Sequence, residues 1–404
     1  MVKNQASNSL NNKILQQISF WFTPKGYFFF NTHSMRQKIK LLLTYFILAL
    51  LFVRCSSDND PSPTDDGEAT EVSPVNYNLD AMPYPKLSDY NIYKSPMKDM
   101  DPVYGVIPFK PASQLFTDYA TKSRFIWMPE GAKANFVSED KIFDFPTGTI
   151  LIKNFYYENV LPSNTKKNLE TRLIIKKGTE WVFATYVWNE EQTEAYFDLE
   201  GSFIPIEFAH NGTTKNVNYR IPSASECLSC HKTNDVAIPI GPKPVNINFN
   251  LDYANGNQNQ IDKWEEFGYL NMGTPANIAA MVDFNDASKP LNDRFRSYAD
   301  INCAHCHNPT GNANYLPINL SFTATVDPTQ LGVCVIPNVD ISGMIGVTVT
   351  HIIKPGDPVS SSMYQRIKSE QENVRMPLLG RSLVHDEAIV LTEQWINSLS
   401  GDCN

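Results

Sequence analysis

The chain has 404 residues, long enough for two or three domains each with its own core. Its composition is that of a globular protein, and 27 prolines suit turns and irregular segments more than long helices. The formal charge of −9 argues against nucleic acid and anionic lipid headgroups as ligands.

Residues 1–54 carry seven basic side chains, Lys3 to Arg54, and no acidic one; without them 27 basic groups face 43 acidic ones, a net of −16. Met35-Arg36-Gln37-Lys38-Ile39-Lys40 is a short basic region. The apolar run 41–53 has secretory length and is too short for a mature bilayer-spanning helix. It ends at Cys55, followed by Ser56-Ser57-Asp58-Asn59-Asp60. Residues 1–54 are therefore expected to be a signal segment, with Met35 a better initiator than Met1. Cys55 is similar to the lipidated cysteine of a bacterial lipoprotein, although Arg54 stands where a small residue is usual. An uncleaved anchor is the alternative. Residues 55–83 follow as an acidic tether, since 58–75 hold almost no bulky apolar side chain.

Over 84–270 the pattern is mostly β. Residues 149–157, 171–175 and 181–188 are rich in β-branched and aromatic side chains, separated by turn formers such as Pro146-Thr147-Gly148 and Lys177-Gly178. A further extended segment, 216–221, leads to Cys227-Leu228-Ser229-Cys230-His231. An amphipathic helix is expected at about 258–267, with Ile261, Trp264 and Phe267 on one face. Residues 271–289 read as a linker.

The last region, 290–404, carries helical patterns at 291–302, 358–367 and 386–399, and Cys303-Ala304-His305-Cys306-His307 closes the first of them. The expected fold is thus α+β and multidomain: an N-terminal antiparallel β domain ending in one motif, and a C-terminal all-α domain laid out as a cytochrome c.

Two C-x-x-C-H motifs carry the chemistry. Each thiol can close a thioether to a haem vinyl group, and the adjacent histidine ligates iron axially. Two covalently attached c-type haems are therefore expected, on Cys227, Cys230 and His231 and on Cys303, Cys306 and His307. Structural zinc on the four cysteines is the alternative. It is disfavoured by the 72 residues between Cys230 and Cys303 and by the histidine trailing each pair.

Met376, 69 residues beyond His307 and just before Pro377 and the last helix, is the expected distal ligand of the second haem; Met344, Met363 and His385 are the runners-up. A thioether favours ferrous iron and raises the potential. For the first haem the distal candidates are Met272, Met281, His210 and His351, and an open iron site is the other possibility. His305 reads as an exposed filler. Cys334 and Cys403 are left over, either as a disulfide or as free thiols.

Several stretches carry a resemblance: Leu115-Phe116-Thr117-Asp118-Tyr119-Ala120, Phe125-Ile126-Trp127, Phe145-Pro146-Thr147-Gly148-Thr149, the run 186–195, Ile240-Gly241-Pro242-Lys243, both motifs, and 376–385. Together they resemble a family of exported di-haem c-type cytochromes of undefined role, over about 87–399. The β region is also similar to the cytochrome P460-like fold, in which a haem rests on an antiparallel sheet.

The resemblance implies haem at both sites and electron transfer. The resulting expectation is an exported electron carrier, periplasmic or at the outer membrane or surface of a bacterium, held by a lipid at Cys55. Its redox partner would present a basic docking face. The alternative is a haem oxidoreductase, peroxidase-like or acting on a small nitrogen or oxygen ligand, with the His231 haem as reaction centre.

Overall fold

A computed structural model describes residues 71–324 and 327–403. The expected signal segment, Cys55 and most of the tether lie outside the described residues. Glu71–Asn404 forms one compact unit of mixed α+β structure. Among the described residues no helix is long and apolar enough to cross a membrane.

The scaffold is an eight-stranded antiparallel sheet built from β1 (Ile107–Pro108), β2 (Thr121–Trp127), β3 (Ile150–Val160), β4 (Thr165–Lys177), β5 (Glu180–Trp188), β6 (Ala195–Asp198), β7 (Ser202–His210) and β8 (Thr213–Ile221). β1 to β6 pair in sequence order, and the β7–β8 hairpin joins at β3. The expected strands at 149–157, 171–175, 181–188 and 216–221 correspond to β3, β4, β5 and β8. β4 is longer than its apolar pattern because its first residues, Thr165 to Asn168, are polar.

Alternation along these strands gives the sheet two unlike faces. Phe125, Trp127, Ile152, Leu173 and Tyr186 point into one apolar core. The opposite face is divided: Ile126 and Leu151 belong to one cluster around Trp264, and Phe155 and Tyr157 to another with Tyr219. The space between these two clusters is where the first motif arrives.

Among the described residues five α-helices of seven residues or more follow the sheet in sequence, α1 (Ala224–Cys230), α2 (Gln260–Glu266), α3 (Leu291–Ala299), α4 (Ser362–Lys368) and α5 (Asp386–Ser398), besides two four-residue ones. α2 starts later than its pattern because Asn259 caps it, its side chain accepting from the Ile261 N–H. α4 begins only at Ser362, after a turn at Pro358 to Ser361. α3 and α5 pack through Phe295 and Trp395, whose rings stack at 3.8 Å and 9°. Both side chains are almost fully buried, each removing a large apolar surface from water.

The segment expected as a linker, 271–289, contributes buried Met281 and Phe284. Met281 joins Ala112, Val245 and Phe322 in a cluster that connects the β-rich part to the C-terminal part.

Candidate functional site

β8 delivers the chain into α1, where Ser223 and Glu226 form a capping box and Arg220 pairs with Glu226. The helix ends on its own chemistry: Cys227 and Cys230 lie on its last turn, and the His231 N–H donates to the Cys227 carbonyl at 3.0 Å. The His231 ring stands 4.8 Å from Phe183 of β5 and donates Nδ1–H to the Ile238 carbonyl at 3.0 Å. That bond leaves the Nε2 lone pair for a metal. Burial, then the nearby Lys153 charge, push His231 down to about 3, so the ring is neutral.

The second motif begins where α3 loosens into a π-helical turn at Asp300–Ala304. That turn is pinned from the β-rich part. Asn302 accepts the Phe116 N–H at 2.8 Å, and buried Asp300 takes Lys243 Nζ at 2.5 Å and the Phe322 N–H at 2.9 Å. Gly311 packs on the far side, where an added Cβ would lie 2.4 Å from the Cys306 carbonyl. His307 is pushed down to about 4 by burial, and its Nδ1 is buried with no hydrogen-bond partner. Among the described residues no side-chain hydrogen bond orients that ring.

The two motifs, far apart in sequence, meet in space. The Cys306 thiol and Asn312 Nδ2 both donate to the Ser229 carbonyl, at 3.8 and 2.6 Å, and the Asn234 N–H donates to the Thr310 carbonyl. Ligand atoms of Cys230, Cys306 and His305 lie within 4.8 Å of one another. Cys230 is drawn towards thiolate by the neighbouring Cys306 and His305, and Cys306 holds its proton correspondingly harder. His305, expected as an exposed filler, is instead half-buried in this cluster, with Nδ1 unpartnered. Cys227 and Cys303 are both raised by burial, Cys303 to about 12.

Beside the cluster lies a cavity of about 560 Å³. Cys303, Cys306 and His307 line it on one side, and Met376 and Met363 also reach it, together with Arg366. Most of the remaining lining is apolar, including Leu316, Ile318 and Leu320.

Met376 is held at both ends of its backbone. Its N–H donates to the Arg366 carbonyl at 3.0 Å, and its carbonyl accepts from Arg381 Nε at 3.0 Å. Asp118 clamps the same loop from the β-rich part, accepting the Ser382 and Leu383 N–H groups at 2.7 Å each.

The other candidates lie elsewhere. Met344 is half-exposed, and His385 stacks on Phe116 at 4.1 Å with its Nδ1 3.3 Å from the Tyr298 hydroxyl. Met272 is 81% exposed, whereas Met281 is core. His210 packs on Tyr119 at 4.2 Å, and His351 Nδ1 pairs with Thr350. Cys334 and Cys403 form a disulfide with Cα atoms 5.1 Å apart.

Sequence reasoning gave no role to Arg366, Arg381 or Asp118, which hold or line the Met376 loop. The only sequence signal near them was the longer stretches around Asp118 and Arg381. No family model, no curated protein and no solved structure matches this chain.

Proposed function

We propose that the chain is a di-haem c-type cytochrome that carries electrons between redox partners outside the cytoplasm. The observation that carries this reading is the meeting of two C-x-x-C-H motifs beside one cavity that Met376 also lines. A volume of about 560 Å³ with a largely apolar lining and a few polar groups suits a cofactor. The donor set fits haem as well: two thiols and an imidazole from each motif, and a thioether across the second site.

In this reading Cys303, Cys306, His307 and Met376 would hold one haem, and Cys227, Cys230 and His231 would hold the other. When bound, the haems supply reversible one-electron couples. The chain's own residues do the rest. Leu316, Ile318 and Leu320 keep water from the second site, Arg381 fixes the Met376 backbone, and the Ile238 carbonyl orients His231. The thiols of Cys230 and Cys306 lie within 4.8 Å of one another, so groups held by the two motifs would be close enough to exchange electrons.

The acidic balance of −16 favours a partner with a basic docking face. The Cys334–Cys403 disulfide suits an oxidising compartment, in keeping with a signal segment and a lipid at Cys55. A second reading, an oxidoreductase centred on His231, is favoured by the cationic side chains that crowd that motif.

Electron paramagnetic resonance of the oxidised, purified protein tests both. A low-spin His/Met centre with a second low-spin centre supports the carrier. A high-spin second centre that responds to peroxide or nitric oxide supports the enzyme. Stoichiometric zinc without haem rejects both.

A further inference from the structure

The middle of the sheet face beneath the first motif is built from cations. Register places Arg124 of β2 opposite Lys153 of β3, and Lys153 opposite Arg172 of β4. Directly paired residues in an antiparallel sheet project to the same side, so the three form one cross-strand row. Lys122 stands two residues along the same face of β2. The row lies between the two apolar clusters of that face and next to the motif: the Lys153 and Arg172 charges both act on His231, and Arg172 also acts on Cys227.

Like charges set directly opposite each other destabilise a sheet unless something neutralises them. Glu170 does so for Arg172 through two bonds, Nε to Oε2 at 2.7 Å and Nη2 to Oε1 at 2.6 Å, while Tyr219 donates to the same carboxylate. Lys122 donates to the Ala120 carbonyl at 2.7 Å, and Asp118 also acts on it.

Among the described residues neither Arg124 nor Lys153 is paired with a carboxylate, and the only carboxylate charge acting on Lys153 is that of Glu170, which Arg172 already holds. Arg124 is 8% exposed and reaches only the Gln114 amide oxygen, at 3.5 Å. Lys153 rests over the Phe155 ring at 4.7 Å and has no hydrogen-bond acceptor among the described residues. Burial and the surrounding cations push its amine well below the ordinary value. The Arg172 side chain keeps 20% exposure, so the row can be reached by a small ion.

We propose that Arg124 and Lys153 form an anion site beside His231, made to receive a carboxylate or a small oxyanion. The site goes beyond electron carriage and exists in the chain whether or not haem is attached. Two sources share this chemistry: the carboxylates of a porphyrin on the first motif, and a free oxyanion brought to the same place as substrate or effector.

The test titrates inorganic sulfate into the full chain by calorimetry at constant ionic strength, in haem-free and haem-loaded forms, with haem content read independently by absorbance. The haem-free chain should bind one sulfate saturably. Lys153→Met, which conserves volume, should weaken it about tenfold or more (~1.4 kcal/mol), and Lys153→Arg should restore it. Lys153→Gln replaces the methionine variant should that one fail to fold.

Sulfate binding retained in the haem-loaded chain assigns the site to a free oxyanion. Binding lost on haem loading assigns it to the porphyrin carboxylates. No binding to the haem-free chain, or binding that Lys153→Met and Arg124→Met leave unchanged (an adventitious ion only), overturns the proposal. A chain that binds sulfate but never takes up haem would refute the cytochrome reading and leave the anion site standing.

Discussion

Arg381 should be the residue on which the Met376 loop most depends. The residue is 5% exposed, and its guanidinium donates to five backbone carbonyls: Met376 at 3.0 Å, Leu383 at 3.2 Å, Arg366 and Ile367 at 3.1 Å each, and Ser369 at 2.9 Å. No lysine can make this fan, because it needs several donors in a fixed plane. A hydrogen bond to a charged group contributes roughly 1.5–3 kcal/mol, and three of these five share Nη2, so the bonds are far from independent.

Arg381→Met should therefore cost about 3–5 kcal/mol in urea unfolding, the range for a broken buried network. Arg381→Lys should recover little of it. The variant should also free the Met376 carbonyl, so that the haem-loaded protein loses its methionine–iron absorption band at denaturant concentrations where the wild type keeps it. A loss below about 1 kcal/mol, with the band equally persistent, would refute the argument that this fan positions Met376.

Met376→Ala should convert one low-spin haem into a high-spin or water-ligated centre, read by absorbance and paramagnetic resonance, whereas Met363→Leu should leave the spectrum unchanged. His385 is pushed down to about 4 by burial. The folded state then binds fewer protons than the unfolded state between pH 4 and 6.5, so stability is fully present above about 6.5 and falls as pH drops towards 4, by at most ~3 kcal/mol. His385→Phe should flatten that part of the stability–pH curve. The Cys334–Cys403 bond closes a loop of 69 residues that contains Met376, α4 and α5, and Cys403→Ser should cost about 4 kcal/mol by chain entropy, measured as a lower urea midpoint in air-oxidised protein.

Legibility followed the range of the interaction. β3 and β5 were readable because they are dense in β-branched and aromatic residues, broken in β3 only by Lys153 and Asn154 before the polar end at Glu158, and α5 because Leu391, Trp395 and Ile396 recur at helical spacing. β7 was missed. Ile204, Ile206 and Phe208 alternate correctly, but Pro205 in their midst reads as a strand breaker.

α3 was expected to run unbroken to 302, yet it loosens into a π turn at Asp300. There the Asp300 carboxylate takes Lys243, and the Asn302 side chain accepts the Phe116 N–H while its amide donates back to the Tyr298 carbonyl. No local pattern announces such partners.

The same limit applies to the site. The haem attachment proposed for Cys227 to His231 and Cys303 to His307 rests on three-residue spacings, and the role proposed for Met376 on its place before Pro377. That the motifs touch, that His305 joins Cys230 and Cys306, and that Arg124, Lys153 and Arg172 fall in one row all depend on strand register and on packing between distant segments. Charges separated along three strands have no sequence signature of their own.

Each C-x-x-C-H motif is proposed to hold a covalent haem. The intact mass of the purified, exported chain tests it most directly. It should equal the mature polypeptide plus two haems, falling by one haem in Cys227→Ala/Cys230→Ala and by one in Cys303→Ala/Cys306→Ala. A mass equal to the bare polypeptide, in protein matured where c-type haem is attached to a control cytochrome, would contradict it.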